Sequence, residues 1–224
     1  ASAAEDKLAT DIVALDVSGT QADLLKAEAD LLAARSELAK LQGVANPLTL
    51  ITNSKTDVVQ AIVDAYTKSD DAVYNKVDRV FDEPRSAAPE ILFAFDDVKL
   101  RDRINASRFL VSEALTKWKA MTLGLSASTY TDADLAKSKE YLRQVTSFLN
   151  DVATAVNDFE TNSYLTQAMI DSYKADVSTA RQNVNTASSG LIAAEQGFLI
   201  DLTNAPVQAA KVSAPRNDIR LHPP

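Results

Sequence analysis

The sequence predicts an all-α protein: a long antiparallel coiled-coil helix pair with an inserted three-helix bundle element, about five helices in all. Three observations carry that expectation. The 224 residues include only 5 glycines, 7 prolines and 6% aromatics, too few turn and β-forming residues for a sandwich, a barrel or a doubly wound sheet. The breakers cluster at Gly43 to Pro47, Pro84 to Pro89, Gly124 to Thr131, Thr161 to Thr166 and Ala205 to Pro215, and the segments between them repeat their apolar residues with helical spacing. The outer segments carry a stricter, seven-residue repeat than the middle ones.

Helices are expected near 3–42, 48–82, 97–122, 132–159 and 166–203. In the first, Val13, Val17, Thr20, Leu24, Ala27, Leu31, Ala34, Leu38 and Leu41 alternate spacings of four and three. In the last, Ile170, Tyr173, Val177, Ala180, Val184, Ala187, Leu191, Ala194 and Phe198 do the same. Such a repeat is a coiled-coil stripe, and the alanine row in each lets two helices approach closely. Leu24, Leu31, Leu38 and Leu41, with Val177, Val184, Leu191 and Phe198, are the expected interface; a pair of helices in an ordinary bundle is the plainer alternative.

The middle helices have wider faces, suited to a bundle. Ile62, Tyr66, Val73, Val77 and Val80 line the second; Leu100, Ile104, Val111, Leu115 and Trp118 the third; Leu142, Val145, Leu149, Val152 and Val156 the fourth. Asp96 or Asp97, Thr131 and Thr166 stand where helix caps belong. The apolar run Ile91-Leu92-Phe93-Ala94-Phe95 falls in a loop and reads as a plug over the end of the bundle in preference to a binding patch. The domain division expected is 1–43 for the first arm, 44–165 for the inserted bundle, 166–204 for the second arm and 205–224 for a tip-like turn and irregular tail.

Composition excludes much chemistry. With 23 Lys+Arg against 31 Asp+Glu the net charge is -8, which disfavours nucleic acid as the main partner. No cysteine is present, so disulfides, thiolate nucleophiles and cysteine metal sites are out, and the single histidine, His222, lies near the end of the sequence. Asp70, Asp71, Asp78, Asp82, Glu83, Asp96 and Asp97 invite a metal reading, but Lys68, Lys76, Arg79 and Arg85 are interleaved, and a solvated salt-bridged face accounts for them better. Lys99, Arg101, Arg103 and Arg108 read as a small basic patch, and Asn105-Ala106-Ser107 matches the glycosylation triplet. No catalytic, cofactor or metal residue is nominated. No stretch has the length and apolarity of a membrane span, and Ala1-Ser2-Ala3-Ala4 opens no signal peptide.

The run Ala65-Tyr66-Thr67-Lys68-Ser69-Asp70-Asp71-Ala72-Val73, with Asn75-Lys76, Asp78, Phe81 and Pro84-Arg85 after it, resembles a segment of HlyD-type membrane-fusion proteins. These are periplasmic adaptors of efflux and secretion systems, here in the version encoded by candidate-phylum (Parcubacteria-like) bacteria. Ile170 to Arg181 followed by Asn183-Val184-Asn185-Thr186-Ala187 is similar to the same group, and Lys211 with Pro215-Arg216-Asn217-Asp218-Ile219 resembles the family's hairpin-tip turn. The resemblance spans roughly residues 60 to 220. It implies a non-catalytic adaptor whose helical hairpin links an inner-membrane transporter to the cell exterior. No part of the chain reads as a lipoyl or barrel domain, so the helical piece alone is expected.

The expected function is therefore an extracytoplasmic stalk in the cell envelope, membrane-associated through other parts. Its partners would be proteins, either a transporter or other adaptor subunits, with a homo-oligomer in the full-length context and neither nucleic acid nor a membrane span of its own. The alternative is a helical-bundle ligand-binding sensor domain of a receptor, motivated by the aromatic-rich centre.

Overall fold

A computed structural model describes residues 47–93 and 95–213, with side chains for 48–93 and 95–206. The chain divides into two compact units, Leu48–Ala205 and a second made of Ala1–Pro47 with Pro206–Pro224. The first contains almost all the described residues. The expected helix over 3–42, and with it Leu24, Leu31, Leu38 and Leu41, lies outside them.

The fold is all-α. Helix α1, Pro47–Asp70, opens on a proline, whose missing N–H is no loss in a first turn. Its polar residues are accommodated locally: Thr52, Thr56 and Thr67 each donate to the carbonyl four residues back, leaving Val58, Ile62 and Ala65 to the core. The expectation of one helix over 48–82 is corrected here. The winding loosens to a π-helical turn at Asp71–Val77, tightens to a 3₁₀ turn at Asp78–Val80, and passes into a two-residue strand, β1, Phe81–Asp82. Through this change of winding Ala72, Val73, Val77, Val80 and Phe81 all stay buried.

Strand β1 pairs antiparallel with β2, Glu90–Ile91, Phe81 standing opposite Ile91. Asn105 ties this hairpin to the next helix by accepting from the Ile91 N–H at 3.0 Å. Glu83, in the loop between the strands, has φ 39°.

Helix α2, Val98–Thr122, starts at Asp97, whose carboxylate accepts from the Leu100 N–H. Helix α3, Asp132–Asn157, starts at Thr131; the Asp134 carboxylate takes both the N–H and the Oγ–H of that residue, satisfying donors that a bare helix end would leave open. Helix α4, Gln167–Ser213, begins after Thr166, whose Oγ accepts from the Met169 N–H. It runs past residue 203 to Ser213 with Pro206 inside it, so Lys211 lies in helix instead of the expected turn. Pro215 to Ile219 lie outside the described residues.

Side-chain pairs fix the helix directions in the Leu48–Ala205 unit. Tyr66 meets Trp118 edge-on and Asp78, just past α1, binds Arg108, so α1 and α2 are antiparallel. Arg103 binds Asp151 while Trp118 stacks on Tyr141, so α2 and α3 are antiparallel. Lys139 binds Glu195 and Arg181 binds Asn150, so α3 and α4 are antiparallel too. The start of α1 thus lies at the end where α2 finishes and α3 begins, and α4 runs toward that same end. The chain enters this unit at Leu48 and leaves it at Ala205 on one side.

The opposite end is closed by aromatics. Phe93 packs on Phe159 at 5.2 Å and on Tyr173 at 5.7 Å, and Phe95 on Phe159 at 6.2 Å. Ile91 and Phe95 are buried while Leu92 points outward. Ile91, Phe93 and Phe95 form the expected plug, and Ala94 of the run lies outside the described residues.

Candidate functional site

Of the expected interface residues, the structure describes those of the last helix. Val177, Val184, Leu191 and Phe198 are 2%, 1%, 1% and 7% exposed, on one face of α4. Val177 shares a cleft with Val156, Leu191 shares one with Leu142, and Phe198 meets the ring of Tyr130 edge-on at 5.9 Å. The stripe therefore joins one core with the segments before it. Helix 167–205 belongs with the residues placed in the inserted bundle, which differs from the division at 166 read from the sequence. The physical reason is the match of the α4 stripe to the wide apolar face of α3.

Charge is arranged differently from a solvated acidic face beside a basic patch. Arg108, read as part of that patch, is 0% exposed. Its guanidinium donates to Asp78 Oδ1 from Nε at 2.8 Å and from Nη2 at 2.5 Å, and its Nη1 donates to Ser112 Oγ. The ring of Tyr74 lies 5.3 Å from this guanidinium and 4.7 Å from that of Arg85, whose Nε stands 3.6 Å from Asp78 Oδ2. Burial lifts the Asp78 carboxyl above the usual carboxylate range, against the opposing pull of Arg108. A signal for this centre was present in the sequence: Arg108 falls on the α2 core stripe of Ile104, Val111 and Leu115, where only a partnered arginine can be buried.

Elsewhere in and beside the cluster the carboxylates bind protein groups. Asp70 accepts from the Tyr66 hydroxyl, Asp71 from the Asn75 amide, and Asp176 takes both Lys76 and Arg79. Among the described residues no three acidic or imidazole side chains converge as a metal site would need. Burial, helped by the neighbouring acids, pushes the Tyr130 phenol up to about 12, so it stays protonated at neutral pH.

Two long grooves flank α3. The α2–α3 groove, about 420 Å³, has Val111, Ala114 and Phe148 in its floor and the Arg103–Asp151 pair at one end. The α3–α4 groove, about 590 Å³, has Leu142 and Leu191 below and Thr146, Ser147 and Ser188 at its sides. Arg143, which borders both, is bound to Glu140, and Lys139 to Glu195. Both are open troughs between antiparallel helices, shaped to receive a side chain or a helix edge. Among the described helices none is long and apolar enough to cross a membrane.

Fold and site define an all-α protein whose buried charge is structural and whose solvent-facing features are interhelical grooves. Comparison of the chain with family models, with curated proteins and with solved structures finds no match.

Proposed function

We propose that the chain is the non-catalytic stalk segment of an extracytoplasmic, HlyD-like membrane-fusion adaptor. In this reading a long antiparallel coiled-coil pair carries an inserted helical bundle, about five helices together. Its partners are an inner-membrane transporter or further adaptor subunits. Leu24, Leu31, Leu38 and Leu41 supply a seam of the arm.

The observation that supports the reading best is the return of the chain. Residues 48–205, α4 included, begin and end on one side, as a module set into a helical hairpin must; the inserted element is then four helices with α4 among them, in place of the three expected over 44–165. The resemblance of the runs at 65–73 and 170–187 to the family points the same way. The sensor reading is less favoured, because most of the aromatics that motivated it, Phe109 and Tyr164 excepted, are used in packing. Trp118 lies between Tyr66 and Tyr141, at ring separations of 6.0 and 5.6 Å.

Photo-crosslinking in the producing cells tests the proposal. A crosslinking residue at Leu110 or Ile192, both well exposed, is expected to capture an inner-membrane transporter or another adaptor subunit from the envelope fraction. Adducts confined to cytoplasmic proteins, or a metabolite that raises the melting temperature of the purified chain, would contradict it.

A further inference from the structure

The β1–β2 hairpin and α2 flank an apolar cleft of about 400 Å³ on the outside of the Leu48–Ala205 unit. The hairpin contributes Ala87, Ala88 and Pro89, and α2 contributes Ala106, Phe109 and Leu110. Phe109 and Leu110 are 38% and 56% exposed. Leu110 also borders the α2–α3 groove, so the two hollows form one apolar surface with that leucine on the ridge between them.

This cleft differs from the two grooves in the sign of its charge. The α2–α3 groove is lined by charges of both signs, and Arg103–Asp151 and Lys117–Glu113 pair within it. The α3–α4 groove is bordered by Lys139 and Arg143, each holding a glutamate. The hairpin cleft has one charged residue in its wall, Glu90, and no cation. Glu90 stands directly across the two-stranded ladder from Asp82. Both are exposed, and like charges in that position repel each other. Among the described residues neither carboxylate makes an ion pair. The only cation of the hairpin, Arg85, is turned to Tyr74 and Asp78. Asp102, exposed one turn before Ala106 on the same face of α2, adds a further acid. A repelling carboxylate pair is thus kept beside an exposed phenylalanine and leucine.

We propose that this surface docks a basic, apolar segment of a partner protein. An apolar side chain of the partner enters the cleft over Ala106 and Phe109, and a lysine or arginine beside it settles between Asp82 and Glu90. A cation placed there turns one repulsion into two attractions, and the apolar neighbour strengthens both by excluding water. Acids alone would attract any cation, and an apolar face alone would leave its partner unspecified; side by side they select a pattern of side chains. The surface calls for a protein partner whether or not that partner belongs to an envelope assembly, so this inference and the adaptor reading fail separately.

Fluorescence anisotropy of short labelled helical peptides against the whole chain is the test. One peptide carries leucine on one face and lysine on the other; a second has glutamate in place of lysine, and a third has serine in place of leucine. The first is expected to saturate with a Kd of about 100 μM or tighter, and the other two to bind about tenfold more weakly or not at all. Leu110→Ser should weaken the first peptide about fivefold or more, and Asp82→Asn and Glu90→Gln about threefold each. Asp57→Asn, at an exposed carboxylate on α1 toward the opposite end of the unit, should leave it unchanged. Because the pair repels, Asp82→Asn and Glu90→Gln should hold or raise the melting temperature of the free chain. The proposal is overturned if the first peptide does not saturate, or if the serine-faced peptide binds as tightly. It is overturned equally if Asp57→Asn weakens binding as much as Asp82→Asn, if the pair variants bind as the parent does, or if they lower the melting temperature.

Discussion

The buried pair at the hairpin end makes an asymmetric prediction. Asp78→Ala removes the acceptor of two guanidinium bonds and leaves Arg108, 0% exposed, with Ser112 and the Tyr74 ring as company. An arginine cannot discharge itself by losing a proton, and stranding a buried charge in this way costs about 3–5 kcal/mol. Arg108→Met keeps the packing of the stem and removes the charge instead. The carboxyl left behind has an escape, since burial already holds its affinity for a proton above the ordinary value. The loss should then stay under about 2 kcal/mol near the pH where Asp78 titrates. A carboxyl whose folded pKa is raised contributes stability below its unfolded pKa and loses it as pH climbs through the folded value. Stability of Arg108→Met should accordingly fall between acidic and neutral pH, more steeply than that of Asp78→Ala. Urea unfolding followed at 222 nm, at several pH values, measures all of this. Equal losses in the two variants, or a larger loss for Arg108→Met at every pH, would refute the reasoning.

Further outcomes follow from the same contacts. Trp118→Ala should destabilise by about 3–5 kcal/mol, because the fully buried indole fills the space between Tyr66 and Tyr141; the chain then has no tryptophan, so circular dichroism is the readout. Val184→Lys places an ammonium at a 1% exposed position of the α4 stripe and should lose a few kcal/mol, whereas parental stability would mean that stripe is not packed. Thr131→Ala removes the hydroxyl bond to Asp134 at the start of α3 and should lower stability by about 1 kcal/mol, visible as a shifted urea midpoint with an unchanged slope.

How much of this was legible in the sequence depended on how local the cause was. The helices at 98–122 and 132–157 match the expected spans within a residue or two, since their apolar spacing and the caps at Asp97 and Thr131 are written in neighbouring residues. The plug of Ile91 and Phe95 was readable because an apolar loop has few places to go. The π turn at Asp71–Val77 was not, because the apolar spacing there is that of a regular helix face. Arg108 was misread as surface charge although it stands on the apolar stripe of α2, because its partner lies thirty residues upstream in the 3₁₀ turn. Pro206 looked like a helix stop, yet α4 continues through it to Ser213.

The adaptor reading rests on the chain entering and leaving residues 48–205 on one side, and that is open to a direct measurement. The chain has no cysteine, so Leu48→Cys and Thr203→Cys give two unique labelling positions for a pair of nitroxide spin labels. Pulsed electron paramagnetic resonance should return a single short distance, on the order of 10–20 Å, allowing one helix spacing plus the two labels. A distance of about 36 Å or more, the length of a 24-residue helix such as α1, would place the two ends on opposite sides and contradict the hairpin insertion on which the proposal stands.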